Sequence, residues 1–382
     1  PSPLTGGATR AVVKFQPDQF MQKALELARR GLGRTAPNPP VGAVLVRDGR
    51  IVGEGFHPAA GEPHAEIFAL RDAGGLARGA DLYVTLEPCC HTGRTGPCTE
   101  AIIEAGVANV YVGTVDPNPR VAGKGLACLR NAGIEVSEGL LETECRSLIA
   151  PFAKHVQSDL PYVVYKAAMT LDGQTAAASG DAKWISCEKS RELVHMLRNQ
   201  VDAIMVGSGT VNADNPKLTT RMQVPGRDPV RIICDGSLAT SPRADVYSRL
   251  SDAGSILVTA CGHTDAKLRP FLAAGVEVVQ VRRLAQGLDL AEAMAELGRR
   301  NLQYILLEGG SKLAASMLKA GFVDRVMFFI APKLAGGEGR GLFASVGVDA
   351  IAEALTLKQL QTRRVDCDIL VEGEVQYVHR PD

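Results

Sequence analysis

The sequence predicts an α/β protein of two layered domains, and three observations carry that expectation. Its 382 residues exceed what one hydrophobic core usually serves, so about two domains are expected. Short apolar runs of strand length alternate with stretches of helical periodicity along most of the chain. The alternation breaks once, near residues 150–160, where "QSDLP" parts a helical run from a new strand-like one.

In the first half, "PDQFMQKALELARRG" sets Phe20, Ala24, Leu27 and Ala28 on one helical face, and Gly31 suits the helix end. "VGAVLVRDGRIVGEGFH" is two apolar runs around Asp48-Gly49, a strong hairpin signal. "PHAEIFALRDAG" reads as a helix with Pro63 in its first turn, followed by Ile67, Leu70 and Ala73. "ADLYVTLEP" is a strand, "GPCTEAIIEAG" a second proline-led helix, and "NVYVGTVDPNP" a strand running into a polar loop. "LLETECRSLIAPFAKHV" reads as one closing helix. In the second half "DAIMVG", "PVRIICD", "SILVTA", "VEVVQV", "QYILLEGG" and "RVMFFIAPKL" are strand-like. "CEKSRELVHMLRNQ", with Ser186 as its cap, and "LAEAMAELGRR" are helical. This half is expected to have its own core and no zinc-like cluster.

Composition narrows the function. Basic and acidic residues number 42 each, which argues against a chain built to coat a polyanion, so no nucleic-acid partner is expected. No apolar run approaches the roughly 20 residues of a membrane helix, so no membrane partner is expected either. The opening "PSPLTGGATRAVVKF" lacks the charged-then-apolar order of a secretory signal, and residues 1–15 read as a flexible lead-in. Nine scattered cysteines without an export signal point to a reducing cytoplasm rather than a disulfide framework.

"TLEPCCHTGRTGPC" therefore reads as a metal site. His64-Ala65-Glu66 opens one expected helix, Pro88-Cys89 follows a strand, and Pro97-Cys98 opens the next helix. Catalytic zinc keeps three protein ligands and an open fourth position. A ring nitrogen of His64 with the thiolates of Cys89 and Cys98, 25 and 34 residues later, would supply the three. Helix N-termini favour thiolate through their free N–H groups, and such a metal lowers the pKa of bound water to about 7. Glu66, two residues from the ligand, would shuttle a proton to a leaving amine; this is the H-x-E plus P-C arrangement of zinc nucleobase deaminases. A lone H-x-E is a weak signal, and the two Pro-Cys pairs are what lift it. Cys90 is expected to face elsewhere. His91 stays open between a substrate-facing group and a fourth ligand that would make the site structural.

Eight residues, "CHTGRTGP", separate the two ligand cysteines where the usual deaminase motif has two. With "NPPVGAVLV", "GEPHAEIFAL", "VTLEPCCHTGRTGPC" and "DPNPRVAGKG" in this order, the chain resembles the bifunctional riboflavin-biosynthesis deaminase/reductase family over residues 16–370. That resemblance implies a cytidine-deaminase-like α/β/α domain over 16–158 and a dihydrofolate-reductase-like α/β domain over 159–382. It implies Zn2+ and NADPH as cofactors, a phosphoribosyl-pyrimidine substrate and self-association into a homo-oligomer. The first reaction would be deamination of 2,5-diamino-6-(5-phosphoribosylamino)pyrimidin-4(3H)-one. By position, Asn38, His57, His91, Arg94, Asp116 and Asn118 would line the deaminase pocket. Arg94 suits a phosphate, while "DPNP" read alone is equally a rigid turn.

The second half lacks a full dinucleotide fingerprint. Gly207 and Gly209 follow a strand, but Asn212 stands where a third glycine belongs. "LLEGGSKLAASMLKAG" is stronger: Glu308-Gly309-Gly310 closes a strand and a helix opens at Ser311, where small residues let a phosphate reach free N–H groups. "KAAMTLDGQTA", "DAKWIS", "VGSGTVNADNPKLTTR" and "APKL" resemble the same family's reductase. The implied reaction is hydride transfer from NADPH to C1 of the opened ribose. Matching positions imply Ala168, Trp184, Thr210, Asp214, Gly310 and Ser311 for NADPH, and Ala182, Arg198, Leu218, Arg221 and Glu308 for substrate. Lys166 or Asp214 would protonate the imine nitrogen. Trp184 reads equally as a plain core aromatic. Two rival functions remain at this level, an RNA-editing deaminase and a structural zinc domain joined to a nucleotide sensor.

Overall fold

The computed structural model describes residues 17–377 except 91–95, 120, 225 and 249–251. Packing divides the chain into two units, with the division between Ile149 and Ala150.

The first unit runs α1 (Pro17–Arg29), β1 (Gly42–Arg47), β2 (Arg50–Phe56), α2 (Ala65–Ala73), β3 (Asp81–Leu86), α3 (Cys98–Ala105), β4 (Asn109–Thr114), α4 (Lys124–Asn131), β5 (Glu135–Glu138) and α5 (Glu142–Leu148). Its sheet has the order β2-β1-β3-β4-β5, antiparallel from β2 to β3 and parallel from β3 to β5. Asp48 and Gly49 turn the β1–β2 hairpin with φ of 52° and 71°, the paired left-handed conformation that a two-residue turn demands. Successive β1 side chains part to opposite faces: Val44 and Val46 join Phe20, Ala24 and Leu27 of α1, while Ala43 and Leu45 join Ala65 and Ala69 of α2. Helices on both faces explain why these strands read as unbroken apolar runs.

Pro63 lies outside its helix, since His64 is the N-cap residue of α2, and Pro97 likewise precedes α3. The single closing helix is two, α5 and α6 (Ala150–Ser158). Pro151 cannot donate an N–H and its ring clashes one turn back, so α5 cannot run through it. The packing division falls at this break, and α6 goes with the second unit, where Lys154 pairs with Asp324 at 2.6 Å.

The second unit continues with β6 (Tyr162–Thr170), β7 (Gln174–Ala176), α7 (Glu188–Gln200), β8 (Ala203–Gly207), α8 (Ser208–Asp214), β9 (Val230–Cys234), β10 (Ser255–Ala260), α9 (Asp265–Ala273), β11 (Glu277–Val281), β12 (Arg283–Leu284), β13 (Gly287–Leu288), α10 (Leu290–Arg299), β14 (Tyr304–Leu307), α11 (Ser311–Lys319), β15 (Arg325–Ala331), β16 (Arg340–Gly341), β17 (Thr356–Val365) and β18 (Asp368–Gln376). The main sheet has the order β11-β10-β9-β8-β14-β6-β15-β18-β17, parallel as far as β15 and antiparallel in its last two pairings. From β8 the chain steps outward to β11, then returns to lay β14 on the other side of β8. That reversal leaves a crevice at the carboxyl ends of β8 and β14, where open α/β sheets bind ligands. Ser186 is not the cap of α7: Cys187 holds that place, and its N–H donates to Asp368. The β17–β18 hairpin escaped the sequence reading because most β17 side chains are exposed, which leaves little apolar alternation to detect.

Candidate active sites

In the first unit, the approach of α2 to the sheet decides where His64 sits. A Cβ on Gly55 would meet the Ala65 carbonyl at 2.2 Å and one on Gly53 the Ala69 carbonyl at 2.3 Å, so only glycine permits this seating. His64 then points Nδ1 at two sulfurs, Cys89 Sγ at 3.5 Å and Cys98 Sγ at 3.3 Å. The three ligand atoms lie within 4.8 Å of one another. Two thiols and one imidazole are a borderline-soft donor set with room for one further ligand, which fits catalytic zinc. Cys98 is buried at the start of α3, and its N–H donates to Cys89 Sγ at 3.5 Å. This bond, and the Cys98 and His64 side chains, pull the Cys89 thiol down to about 4, with the Cys98 side chain the largest influence. Cys90 lies beside them without joining the ligand group.

Glu66 is 3% exposed in the first turn of α2. Burial lifts its carboxyl to about 7, and the nearby His64 only partly opposes this. A carboxyl that gains and releases a proton near neutrality suits proton transfer. His57 Nδ1 faces the Pro63 carbonyl at 3.0 Å, so that nitrogen carries the hydrogen and Nε2 accepts from Asn38 Nδ2 at 3.2 Å. Burial lowers the pKa of His57, which keeps the ring neutral. Its centroid is 5.3 Å from that of His64, edge to face. His91 and Arg94 lie outside the described residues.

Glu87, unremarked in the sequence reading, anchors the loop that carries Asp116 and Asn118. It is buried, and its carboxylate accepts from the N–H groups of Asp116 at 3.1 Å, Gly123 at 2.9 Å and Gly125 at 2.8 Å. Asp116 Oδ1 in turn accepts from Asn118 N–H at 2.8 Å. The only hint was an acid placed directly before Pro88-Cys89.

In the second unit a cleft of about 1190 Å³ opens at the β8/β14 reversal. Lys166, Ala168, Ala182, Trp184, Arg198, Thr210, Asp214, Arg221, Glu308, Gly310 and Ser311 all line it. Leu218 does not: it is 5% exposed within an apolar cluster with Ile204, Val206 and Val211. Trp184 is 66% exposed with the Arg191 guanidinium 4.7 Å from its ring centroid, which rules out a core aromatic. At the mouth of α11 a Cβ on Gly309 would crowd Thr210 Oγ1 at 2.9 Å, and Gly310 has φ of 75°. The small-residue entry to a nine-residue helix is therefore real, and it fits a dinucleotide phosphate.

Arg198 lines the cleft and is paired within its wall. Its Nε and Nη2 donate to both oxygens of Glu308 at 2.6 and 2.8 Å, and Nη1 donates to the Thr219 carbonyl at 3.0 Å. Burial alone would raise Glu308, but Arg198 and Lys166 outweigh it and hold the carboxylate at about 2. Lys166 Nζ lies 3.9 Å from Glu308, and burial lowers its pKa. His195, which the sequence reading did not single out, lines the same cleft and accepts from Arg221 N–H at Nδ1 (3.2 Å). Burial, then Arg198 and Arg221, push it down to about 4, so it is neutral at pH 7.

Known proteins carry both sites on one chain. Residues 15–114 match the cytidine and deoxycytidylate deaminase zinc-binding region, and residues 161–371 match the RibD C-terminal domain. Riboflavin biosynthesis protein RibD of Actinobacillus pleuropneumoniae is 43% identical over 354 residues, covering 92% of this chain and 94% of the relative. The Escherichia coli K12 protein of the same name is 42% identical over 367 residues, covering 93% and 98%. This chain belongs to the RibD family. A crystal structure from Thermotoga maritima, titled as a diaminohydroxyphosphoribosylaminopyrimidine deaminase/5-amino-6-(5-phosphoribosylamino)uracil reductase, superposes with a TM-score of 0.81 at 40% identity, covering 94% of this chain and 98% of that one. Acinetobacter baumannii RibD, form 1, gives 0.82 at 37% identity, covering 94% and 99%. The chain is thus a two-domain enzyme of riboflavin biosynthesis, a cytidine-deaminase-like zinc deaminase joined to an NADPH-dependent reductase. No described helix is long and apolar enough to cross a membrane.

Proposed function

We propose that the first unit deaminates 2,5-diamino-6-(5-phosphoribosylamino)pyrimidin-4(3H)-one at ring C2, and that the second reduces the ribosyl group of 5-amino-6-(5-phosphoribosylamino)uracil to ribityl. The observation that carries this reading is the convergence of His64 Nδ1, Cys89 Sγ and Cys98 Sγ beside the buried carboxyl of Glu66. When bound, zinc supplies a water-derived nucleophile at neutral pH and NADPH supplies a hydride. Glu66 carries the proton that the attacking water gives up to the amine that leaves as ammonia. Asn38 and neutral His57 form a fixed polar pair for the ring's amino and carbonyl groups, and the Glu87 anchor holds Asp116 and Asn118 in place.

In the reductase, Gly310 and the N–H groups at Ser311 take a dinucleotide phosphate, with Thr210 beside them. Ala168 and exposed Trp184 flank the cofactor, and Ala182 adjoins the substrate. Because Glu308 occupies Arg198, the substrate phosphate falls to exposed Arg221. Lys166 is a better proton donor to the imine nitrogen than Asp214, since burial makes its ammonium more acidic, whereas Asp214 is exposed. Leu218 contributes through the wall behind Arg221 rather than as a lining group.

Chelator treatment tests the division of labour. Ammonia release should vanish and return with added zinc, while NADPH oxidation on supplied uracil substrate persists throughout. Full deamination by metal-free protein would sink the reading. We also infer a homo-oligomer working in the cytoplasm. Unpaired cysteines suit a reducing compartment, and exposed Ile351 and Leu334 suit self-association. Sedimentation at a monomer's mass, at assay concentration, would exclude the oligomer.

A further inference from the structure

Where no zinc-like cluster was expected, the second unit brings Cys187 together with Cys367 and Asp368, which lie far along the sequence from it. Cys187 is the N-cap residue of α7, while Cys367 and Asp368 lie at the β17–β18 turn. Cys187 Sγ, Cys367 Sγ and an Asp368 carboxylate oxygen lie within 4.8 Å of one another, the same compass as the three ligands in the first unit. We propose that they form a second metal site, which takes a thiophilic divalent cation of the zinc class and ties the β17–β18 turn to the start of α7.

The local chemistry favours a cation. Asp368 is fully buried, and its Oδ2 accepts from Cys187 N–H at 2.8 Å and from Ser190 Oγ at 2.6 Å. Those bonds fix the carboxylate and leave Oδ1 facing Cys367 Sγ at 3.7 Å. Cys187 Sγ lies 3.3 Å from Ser190 Oγ and 3.4 Å from the Val365 carbonyl, both weak partners for a thiol. Cys367 is exposed on a turn whose other residue, Asp366, has φ of 55°, so its thiol can be reached from solvent. Glu188 and Asp366 add negative charge nearby, and Lys189 is paired with Glu192. Two thiolates beside a buried carboxylate would repel one another without a cation, and the same field disfavours attack on an anionic disulfide reagent. Binding replaces two S–H bonds with two metal–sulfur bonds and releases two protons. The ion would brace the helix that carries His195 and Arg198 on the cleft wall.

The test uses the full chain, reduced and stripped with chelator, then dialysed against zinc and, separately, cadmium. Two ions per chain are expected in the wild type, one in Cys367→Ser, one in Cys98→Ser and none in the double variant. Cadmium added to Cys98→Ser should give thiolate-to-metal ultraviolet absorption that Cys367→Ser removes. Cys367 is exposed, so its replacement should leave the fold intact. Equal zinc in wild type and Cys367→Ser, or none in well-folded Cys98→Ser, would overturn the site. So would a Cys187–Cys367 disulfide in air-exposed protein whose reduced form takes up no cadmium in the Cys98→Ser background.

Discussion

Glu66 and Glu308 are both buried carboxyls at an active cleft, yet their environments send them in opposite directions. Glu66 has His64 beside it, which offsets only part of the burial, and it rises to about 7. Glu308 pays the same desolvation but has Arg198 on both oxygens and Lys166 at 3.9 Å, and falls to about 2. The difference assigns their work. A carboxyl poised near neutrality moves protons, whereas one locked as an anion fixes the cations around it.

The largest effect expected from breaking this contrast is on deamination. Glu66→Gln keeps the size and the polarity but removes the proton carrier, so ammonia release should fall by roughly 10²–10⁴-fold or more. Zinc content and NADPH oxidation should stay at wild-type levels. Retained deamination would show that the proton travels elsewhere.

At the opposite carboxyl the cost should be stability. Glu308→Ala strands a buried guanidinium, an error that typically costs about 3–5 kcal/mol. Urea unfolding followed by Trp184, the chain's single tryptophan, reads the second unit selectively. Replacing Arg198 and Glu308 together by Met should cost less than Glu308→Ala alone, because the buried guanidinium leaves with its partner and only Lys166 loses its anion. A larger loss in the double variant would mean that the pair's hydrogen bonds, rather than its charges, hold the wall.

The same contrast explains what the sequence could disclose. The His64, Cys89 and Cys98 trio was legible because His64 and Cys98 open helices, Cys89 follows a strand, and a proline precedes each of the three. Layering and most strands were legible because sheets covered on both faces leave unbroken apolar runs. The Arg198–Glu308 pair was not, since 110 residues separate the partners and no local pattern links them. Glu87 was missed for a related reason: its partners are backbone N–H groups, which no side-chain pattern reports. Cys187 and Cys367 meet only through a hairpin whose exposed strand lacks an apolar signature.

Glu66 also makes the stability of the first unit depend on pH. Its carboxyl is raised in the folded, metal-free unit relative to about 4.3 when unfolded. Between these values the native state binds more protons, so stability falls as pH rises from about 4 to about 7. The full penalty, about 4 kcal/mol at 1.36 kcal/mol per unit, is present above pH 7. Metal-free Glu66→Gln should therefore be more stable than metal-free wild type at pH 8 and nearly equal at pH 4. Equal stability at both would place the ionised carboxylate in a better-solvated setting than its burial indicates.

The smallest expected effect belongs to His195, beside Glu308 but of opposite sign to Glu66. Its folded pKa is about 4 against about 6.5 unfolded. As pH falls from about 6.5 toward 4, the unfolded chain takes up a proton that the native ring refuses, so stability is lost on acidification. The ring is only partly buried, and solvent screening keeps the loss small. His195→Asn can still accept from Arg221 N–H yet cannot titrate, so the second unit should lose less stability between pH 7 and pH 5. An unchanged slope would transfer that acid sensitivity to other groups and leave His195 a neutral acceptor for the Arg221 loop alone.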